Sequence, residues 1–420
     1  MAGMRSLSFL TRQRAIGVFL AFAVAYFIST LIRAITATLS PTLIQEFSMN
    51  SRDLGLLAGA YFLGFSLTQL PLGRWLDRFG PKKVILAFLS IAVVGSLAFS
   101  MADRFATLWV ARALTGVGVS ACLMAPLTAY RRWYQPANQL RANSWMLMTG
   151  SMGMVASTLP VQWLVPLYGW RPLFVGLAVA TVVAMLGIAW IVPRWQPVHA
   201  RPVQGQAPAM GYAQVFGHPY FRRHLMLGLF VYGGLVAMQT LWSVPWMVKV
   251  AGYTPQQAAT GLFLINVCML LAFWTWGLIS PRLMRRGIGA DQLIVRGLPL
   301  SFVLLGVIIL SPGWVDASPI PVWTLWAAYC VSCTFVASAQ PAVALAFPAE
   351  LAGRALSAYN LLIFVGVFVV QWGVGLMIDA FKLVGASEVA AHQEAMLVYG
   401  ALGLIAYLRF SLGSAKANPV

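Results

Sequence analysis

Arg33 stands where arginine is expensive. It falls about eighteen residues into the first long apolar run, and at about 1.5 Å of helical rise per residue it lies near or just beyond the middle of a bilayer. An unpaired arginine at that depth costs about 2.5 kcal/mol or more, so it is expected to face a cavity or a partner. Its helical neighbours favour a cavity: Tyr26, Ser29, Thr30, Arg33, Thr36 and Ser40 share one face of the helix. A guanidinium on such a stripe can hold an anionic group, above all a carboxylate, through a bidentate pair. The structural alternative is a bond to backbone carbonyls or to a neighbouring helix. Arg112 is shallower in the fourth run, and handling substrate or a proton competes there with tying helices together or snorkelling outward.

An opposing wall is expected from the second half of the chain. Tyr232, Gln239, Ser243 and Trp246 fall on one helical face, as do Tyr329, Ser332 and Gln340. Tyr61, Thr68, Asn266 and Gln371 are further candidates. Each could equally be an interhelical hydrogen bond worth about 0.6–2 kcal/mol. Acids are telling by absence: all ten, and the four histidines, fall at run ends or in loops. Glu46 and Asp53 are the nearest candidates for carrying a proton. Exchange of anions, facilitated diffusion and proton movement through substrate or water therefore stay open, so the expected partners are a small-molecule substrate with a counter-substrate or a proton. Cys330 and Cys333 form a C-x-x-C inside an apolar run, with no second pair or histidine near, and are read as packing. No metal or cofactor is expected. Paired carboxylates, nucleophilic triads and phosphate-cradling loops have no support, so an enzyme is not expected.

The elements that position these residues are membrane helices. Sixty per cent of the chain is hydrophobic and 9% charged, far from the roughly one quarter charged residues of a soluble domain. Apolar runs of spanning length recur about twelve times, near 15–43, 55–74, 82–101, 104–132, 140–166, 171–193, 223–250, 256–284, 292–311, 320–348, 354–380 and 391–412. The expected fold is an all-α integral membrane protein with two six-helix halves, residues 1–193 and 223–420, joined by a polar linker over 194–222. The net charge of +18 does not imply nucleic acid, because the bases sit in short turns and form no continuous patch. Of the 28 Lys and Arg residues, only Arg52, Arg104, Arg171, Lys249 and Lys382 fall on the face away from the termini, while Arg33 and Arg112 lie inside spans. That bias places both termini in the cytoplasm and the protein in the cytoplasmic (inner) membrane. Met1 to Arg14 reads as a short basic leader without a cleavage site. A monomer in the lipid bilayer is expected.

The loop after the second run reads Gly73-Arg-Trp-Leu-Asp77-Arg78-Phe-Gly80-Pro-Lys82-Lys83, taken as a short charged turn whose glycines allow close approach and reversal. Asp77 could cap the following helix or pair with Arg78. The stretch resembles the loop between helices 2 and 3 of the major facilitator superfamily, roughly Gly-x-Leu-Ala-Asp-Arg-x-Gly-Arg-Lys, departing at Trp75, Leu76 and Pro81. Arg112-Ala-Leu-Thr-Gly116-Val-Gly118 resembles that family's Arg-x-x-x-Gly-x-Gly motif, and Gly169-Trp170-Arg171 another of its turns. Gly277-Leu-Ile-Ser-Pro-Arg282 faintly repeats the Gly73 stretch without its acid. The resemblance implies a central cavity, alternating access and a gating role for Gly73, Asp77, Arg78 and Gly80. It also implies a substrate site, for which Arg33, Tyr26, Thr30, Thr36, Tyr61, Arg112, Gln239, Ser243, Tyr329 and Gln340 are the candidates. The drug antiporters' Gly-Pro motif is missing from the fifth run, where Thr149, Gly150 and Gly153 precede a lone Pro160. A transporter of a small organic solute, such as a carboxylate, is the leading expectation. An exporter of an amphipathic or metal-chelating metabolite or drug, or a ligand sensor without net transport, are the alternatives.

Overall fold

The computed structural model describes residues 9–195, 211–311 and 321–413. Among them every regular element is helical. Ten helices are long and apolar enough to cross a membrane: Arg12–Phe47, Pro81–Ser100, Phe105–Trp133, Trp170–Ile191, Pro219–Lys249, Pro255–Ser280, Ala290–Leu310, Val322–Leu345, Leu351–Leu383 and Glu388–Leu412. Ser51–Leu67 and Gln69–Phe79, bent by 45°, make an eleventh together. The remaining expected span, near 140–166, is helical as Pro136–Ala156 and Leu159–Tyr168. It is broken at Ser157 and Thr158 because Pro160 has no N–H to continue the ladder. Thr38 of span one donates to the Ser157 carbonyl at 2.8 Å, supplying a partner that the break leaves wanting. Counted in chain order, these are spans one to twelve.

Two sequence expectations need correction. The stretch from Gly73 is not a turn: helix continues to Phe79, and the reversal is made by Gly80 alone, with φ +80° and Pro81 starting span three. A helix costs fewer unsatisfied backbone groups at the membrane edge than an open loop does. Part of the linker expected over 194–222 is also helical, in Tyr212–Gly217, and span seven begins at Pro219. Residues 196–210 lie outside the described residues.

Span two is the seam of the molecule. A Cβ on Gly64 would stand 2.1 Å from the Ala113 carbonyl oxygen, and one on Gly116 1.9 Å from that of Tyr61, so spans two and four touch backbone to backbone. On its other side a Cβ on Gly55 would stand 2.2 Å from the carbonyl oxygen of Gln371 in span eleven. Small residues permit such approach where lipid offers helices no hydrophobic reason to associate. At the face opposite the basic one, Asp379 of span eleven accepts from the backbone N–H groups of Ser51, at 3.2 Å, and Arg52, at 2.7 Å. A carboxylate thus caps the N-terminus of span two from across the seam. On the same face span one packs against residues 238–249 of span seven. Span seven carries two π-helical turns, Leu227–Tyr232 and Met238–Trp242.

Candidate functional site

A central cavity of about 70 Å³ lies between the spans, and Arg33 lines it together with Tyr26 and Ser29 of span one. Span two contributes Phe65 and Gln69, span four Ser120 and Met124, and the second half Gln340, Asn360 and Phe364. Both groups of spans therefore build one chamber. The guanidinium carbon of Arg33 stands over the rings of Phe65, at 5.5 Å from the centroid, and Phe364, at 5.6 Å. Its Nε is buried without a hydrogen-bond partner, as is the Ser29 hydroxyl. Among the described residues no carboxylate lies within 4 Å of Arg33. The chamber is therefore electropositive and can accept an anion.

Arg112 is different. It is 1% exposed, does not line the cavity, and donates from Nη2 to the backbone carbonyl of Arg33 at 3.2 Å. Its guanidinium carbon stands 5.0 Å from the centroid of the Tyr61 ring, while its Nε and Nη1 lack hydrogen-bond partners. It ties span four to span one, which is the structural reading, and adds a second positive charge beneath the site.

Of the substrate-site candidates, Tyr26, Arg33 and Gln340 reach the cavity wall. The others do not, for identifiable reasons. Thr30 donates to the carbonyls of Tyr26 and Phe27 and packs on Gly153 of span five. Thr36 is buried away from the chamber. The stripe from Tyr26 to Thr36 fans over roughly 120° at about 100° per residue, and its edges pack against helices. Tyr61 is buried with its hydroxyl on the Ser29 carbonyl at 3.4 Å. Gln239 donates to Asn266 Oδ1 at 2.8 Å, and Gln371 to Thr240 Oγ1 at 3.0 Å, both interhelical bonds within the second half. Ser243 is fully buried and off the cavity. Tyr329 hydrogen-bonds the Tyr399 hydroxyl at 2.8 Å, in a separate crevice with Ser301 and Cys333. Asn360 is the main residue that sequence reasoning missed. It accepts from Gln340 in the cavity wall and lies eleven residues, three helical turns, before Gln371 on one face of span eleven. That spacing was the available signal.

The two acids at the face opposite the basic one, near the ends of spans one and two, are engaged elsewhere. Glu46 accepts from Trp170 Nε1 at 2.6 Å and pairs with Arg171. Asp53 lies 3.4 Å from Arg52, and its N–H is bound by Asn50 at the start of span two. Cys330 and Cys333 are buried free thiols.

At the basic face, Gly80 packs against Trp195, whereas a Cβ on Gly73 would meet nothing within 4 Å, so only one of the two glycines serves a close approach. Asp77 makes neither of the two bonds expected of it: span three starts without a side-chain cap, and Arg78 lies over the Phe79 ring. Exposed at the helix end, the Asp77 carboxylate instead feels Arg131 of span four and Arg354 of span eleven. Tyr212, beside the seam, donates to the Leu70 carbonyl at 2.9 Å. Burial raises its phenol above the usual range, with Arg74 and Arg354 acting the other way.

The protein designated the probable sulfoacetate transporter SauU of Cupriavidus necator is 24% identical over 289 residues, 66% of each chain. A gallate transporter of Pseudomonas putida is 24% identical over 71% of each chain. A bacterial homologue of the human lysosomal transporter Spinster, in an inward-facing and occupied conformation, superposes with a TM-score of 0.77 at 18% identity, covering 98% of this chain and 100% of the other. The profile of the Major Facilitator Superfamily matches residues 22–371. With that match over most of its length and this fold, the chain belongs to the Major Facilitator Superfamily.

Proposed function

We propose that this membrane transporter carries a small organic anion, with a carboxylate or sulfonate held by Arg33. One observation carries the reading: a cavity-lining guanidinium in the membrane core has an unpaired Nε and no carboxylate within reach. A buried cation without a protein counter-ion is most cheaply neutralised by a bound anion. Tyr26, Ser29, Gln69, Gln340 and Asn360 supply hydroxyls and amides around it. The relatives named for sulfoacetate and gallate carry anionic solutes by name, which supports the same class. The protein is not an enzyme.

In this reading residues 1–193 and 223–420 rock as two halves about the cavity, in the cytoplasmic membrane, as a monomer with both termini inside. The packed opposite face is then the closed outer gate, and the stretch of Gly73, Asp77, Arg78 and Gly80 works at the inner one. The coupling partner is a second anion or a proton. Exchange is favoured because the empty carrier would otherwise reorient with two unneutralised arginines in its core.

A thermal-shift screen of purified protein against carboxylates, sulfonates, sugar acids, inorganic anions and cationic drugs tests the reading, with Arg33→Gln alongside. A ligand at about a hundred times its dissociation constant adds about 2.7 kcal/mol of stability. Anion stabilisation that vanishes in Arg33→Gln is expected. Stabilisation by cationic or neutral amphiphiles alone, indifferent to Arg33, would replace this reading with the exporter.

A further inference from the structure

Arg33 raises a physical question that anion binding does not answer: what holds its charge and orientation when the chamber is empty? Among the described residues no carboxylate does so and its Nε has no hydrogen-bond partner, the nearby polar groups being the neutral phenols of Tyr61 and Tyr26. Two ring faces stand where an acid would be expected. Phe65 comes from span two and Phe364 from span eleven, on opposite sides of the seam. Their centroids are 4.3 Å apart at an interplanar angle of 51°, and the guanidinium carbon lies over both at 5.5 and 5.6 Å. The rings also line the cavity themselves.

We propose that Phe65 and Phe364 are positioning residues, a cross-seam aromatic cradle that holds the charge of Arg33 over two ring faces without taking up its N–H donors as a carboxylate would, so that they stay available to the substrate anion. The proposal rests on the anion reading above. Its chemistry follows from where a guanidinium keeps its donors. The five N–H groups make hydrogen bonds in the guanidinium plane, whereas attraction to an aromatic quadrupole needs only the cation over the face of the ring. A carboxylate partner would hold the charge too, but it would occupy the N–H fork that substrate needs and would have to be displaced. Two rings stabilise the cation without consuming a donor. Because one ring comes from each side of the seam, the cradle is complete only while spans two and eleven are apposed at that level. Rocking that parts Phe65 from Phe364 would therefore weaken the grip on the anion, linking affinity to conformation.

Leucine keeps apolar bulk and removes the quadrupole; tyrosine restores it. The experiment is proteoliposome uptake and calorimetric binding with sulfoacetate, gallate, benzoate and citrate, on full-length wild type, Phe364→Leu, Phe364→Tyr, Phe65→Leu and Arg33→Gln. The two leucine variants are expected to raise KM and Kd about tenfold with kcat within about twofold, by a similar factor for aromatic and aliphatic anions. Phe364→Tyr should restore binding to near the wild-type value. A purely structural role would lower thermal stability and kcat without this KM-selective, ring-rescued pattern. Unchanged KM in both leucine variants, with binding still abolished by Arg33→Gln, would sink the cradle and leave the anion site standing. A loss confined to gallate and benzoate would also overturn it, since the rings would then be stacking on substrate and not positioning Arg33. Anion binding that survives Arg33→Gln, or no binding of any of these anions to wild type, would remove the anion reading and the cradle with it. Should Phe364→Leu fail to fold, Phe65→Leu and the tyrosine variant still decide the matter.

Discussion

The two ends of the seam between spans two and eleven are built differently. At the opposite face the backbones touch at Gly55, and Asp379 caps span two with two hydrogen bonds to Ser51 and Arg52. At the basic face the exposed Asp77 feels Arg131 and Arg354 at a distance, Tyr212 donates to the Leu70 carbonyl at 2.9 Å, and a Cβ on Gly73 would have open space around it. One end is closed by backbone contact and a two-bond carboxylate cap, the other by packing of Gln69–Phe79 on span eleven, the Tyr212 bond and charges that act at a distance. Short directional bonds and backbone contact across a seam resist separation, whereas screened charge at an exposed helix end permits it at smaller cost. In the proposed alternating-access reading, the asymmetry is that of a carrier with its opposite face shut.

Four substitutions would break or sharpen that contrast. Gly55→Ala is expected to do most damage, because its Cβ would stand 2.2 Å from the Gln371 carbonyl and backbone cannot step aside cheaply. A loss of about 1–3 kcal/mol or more, read as a lower unfolding temperature and a poor yield of folded protein, is the expected outcome. A wild-type melting curve would show that the seam is looser than described. Asp379→Ala comes next: two N–H groups lose their acceptor, costing about 1–2 kcal/mol in the closed state alone. Cysteine labelling from the opposite face should rise about tenfold, and an unaltered labelling rate would deny Asp379 a latch role. Asp77→Ala should leave yield and stability within about 1 kcal/mol, since exposed charge pairs contribute little, yet slow transport several-fold. Equal flux would strip it of gating. The smallest effect belongs to Gly73→Ala, which meets no atom within 4 Å and should be neutral or stabilising by up to about 1 kcal/mol through helix propensity. A clear destabilisation would mean that Gly73 is packed after all.

The candidate site was partly legible. Arg33 announced itself because a charge deep in an apolar run is costly wherever the helix is placed, and Tyr26 followed from helical spacing alone. Thr30 and Thr36 shared the stripe but not the cavity, since spacing gives a face of roughly 120° without saying which neighbour stands against each edge. Gln239 and Tyr329 were polar for a different reason, hydrogen bonds between helices to Asn266 and Tyr399. Phe65 and Phe364 were invisible, as two phenylalanines among 24 in a chain where aromatics mostly pack. The Gly73 stretch is helix and not the expected turn because charged residues suit a helix end at the membrane surface as well as they suit a loop.

Composition and hydrophobic run length by themselves determined that this chain is a helical membrane protein, since each run must satisfy its own backbone in lipid. The basic motif at the end of span two and the Arg112 motif pointed to its family. Only tertiary structure decided that Arg33 faces a chamber while Arg112 is sealed under Tyr61, and that Asp379 and not Asp77 holds a seam by direct bonds. Those outcomes depend on which residues meet across helices tens to hundreds of positions apart, and that is set by close packing at glycines such as Gly55 and Gly116, not by any periodicity within a single span.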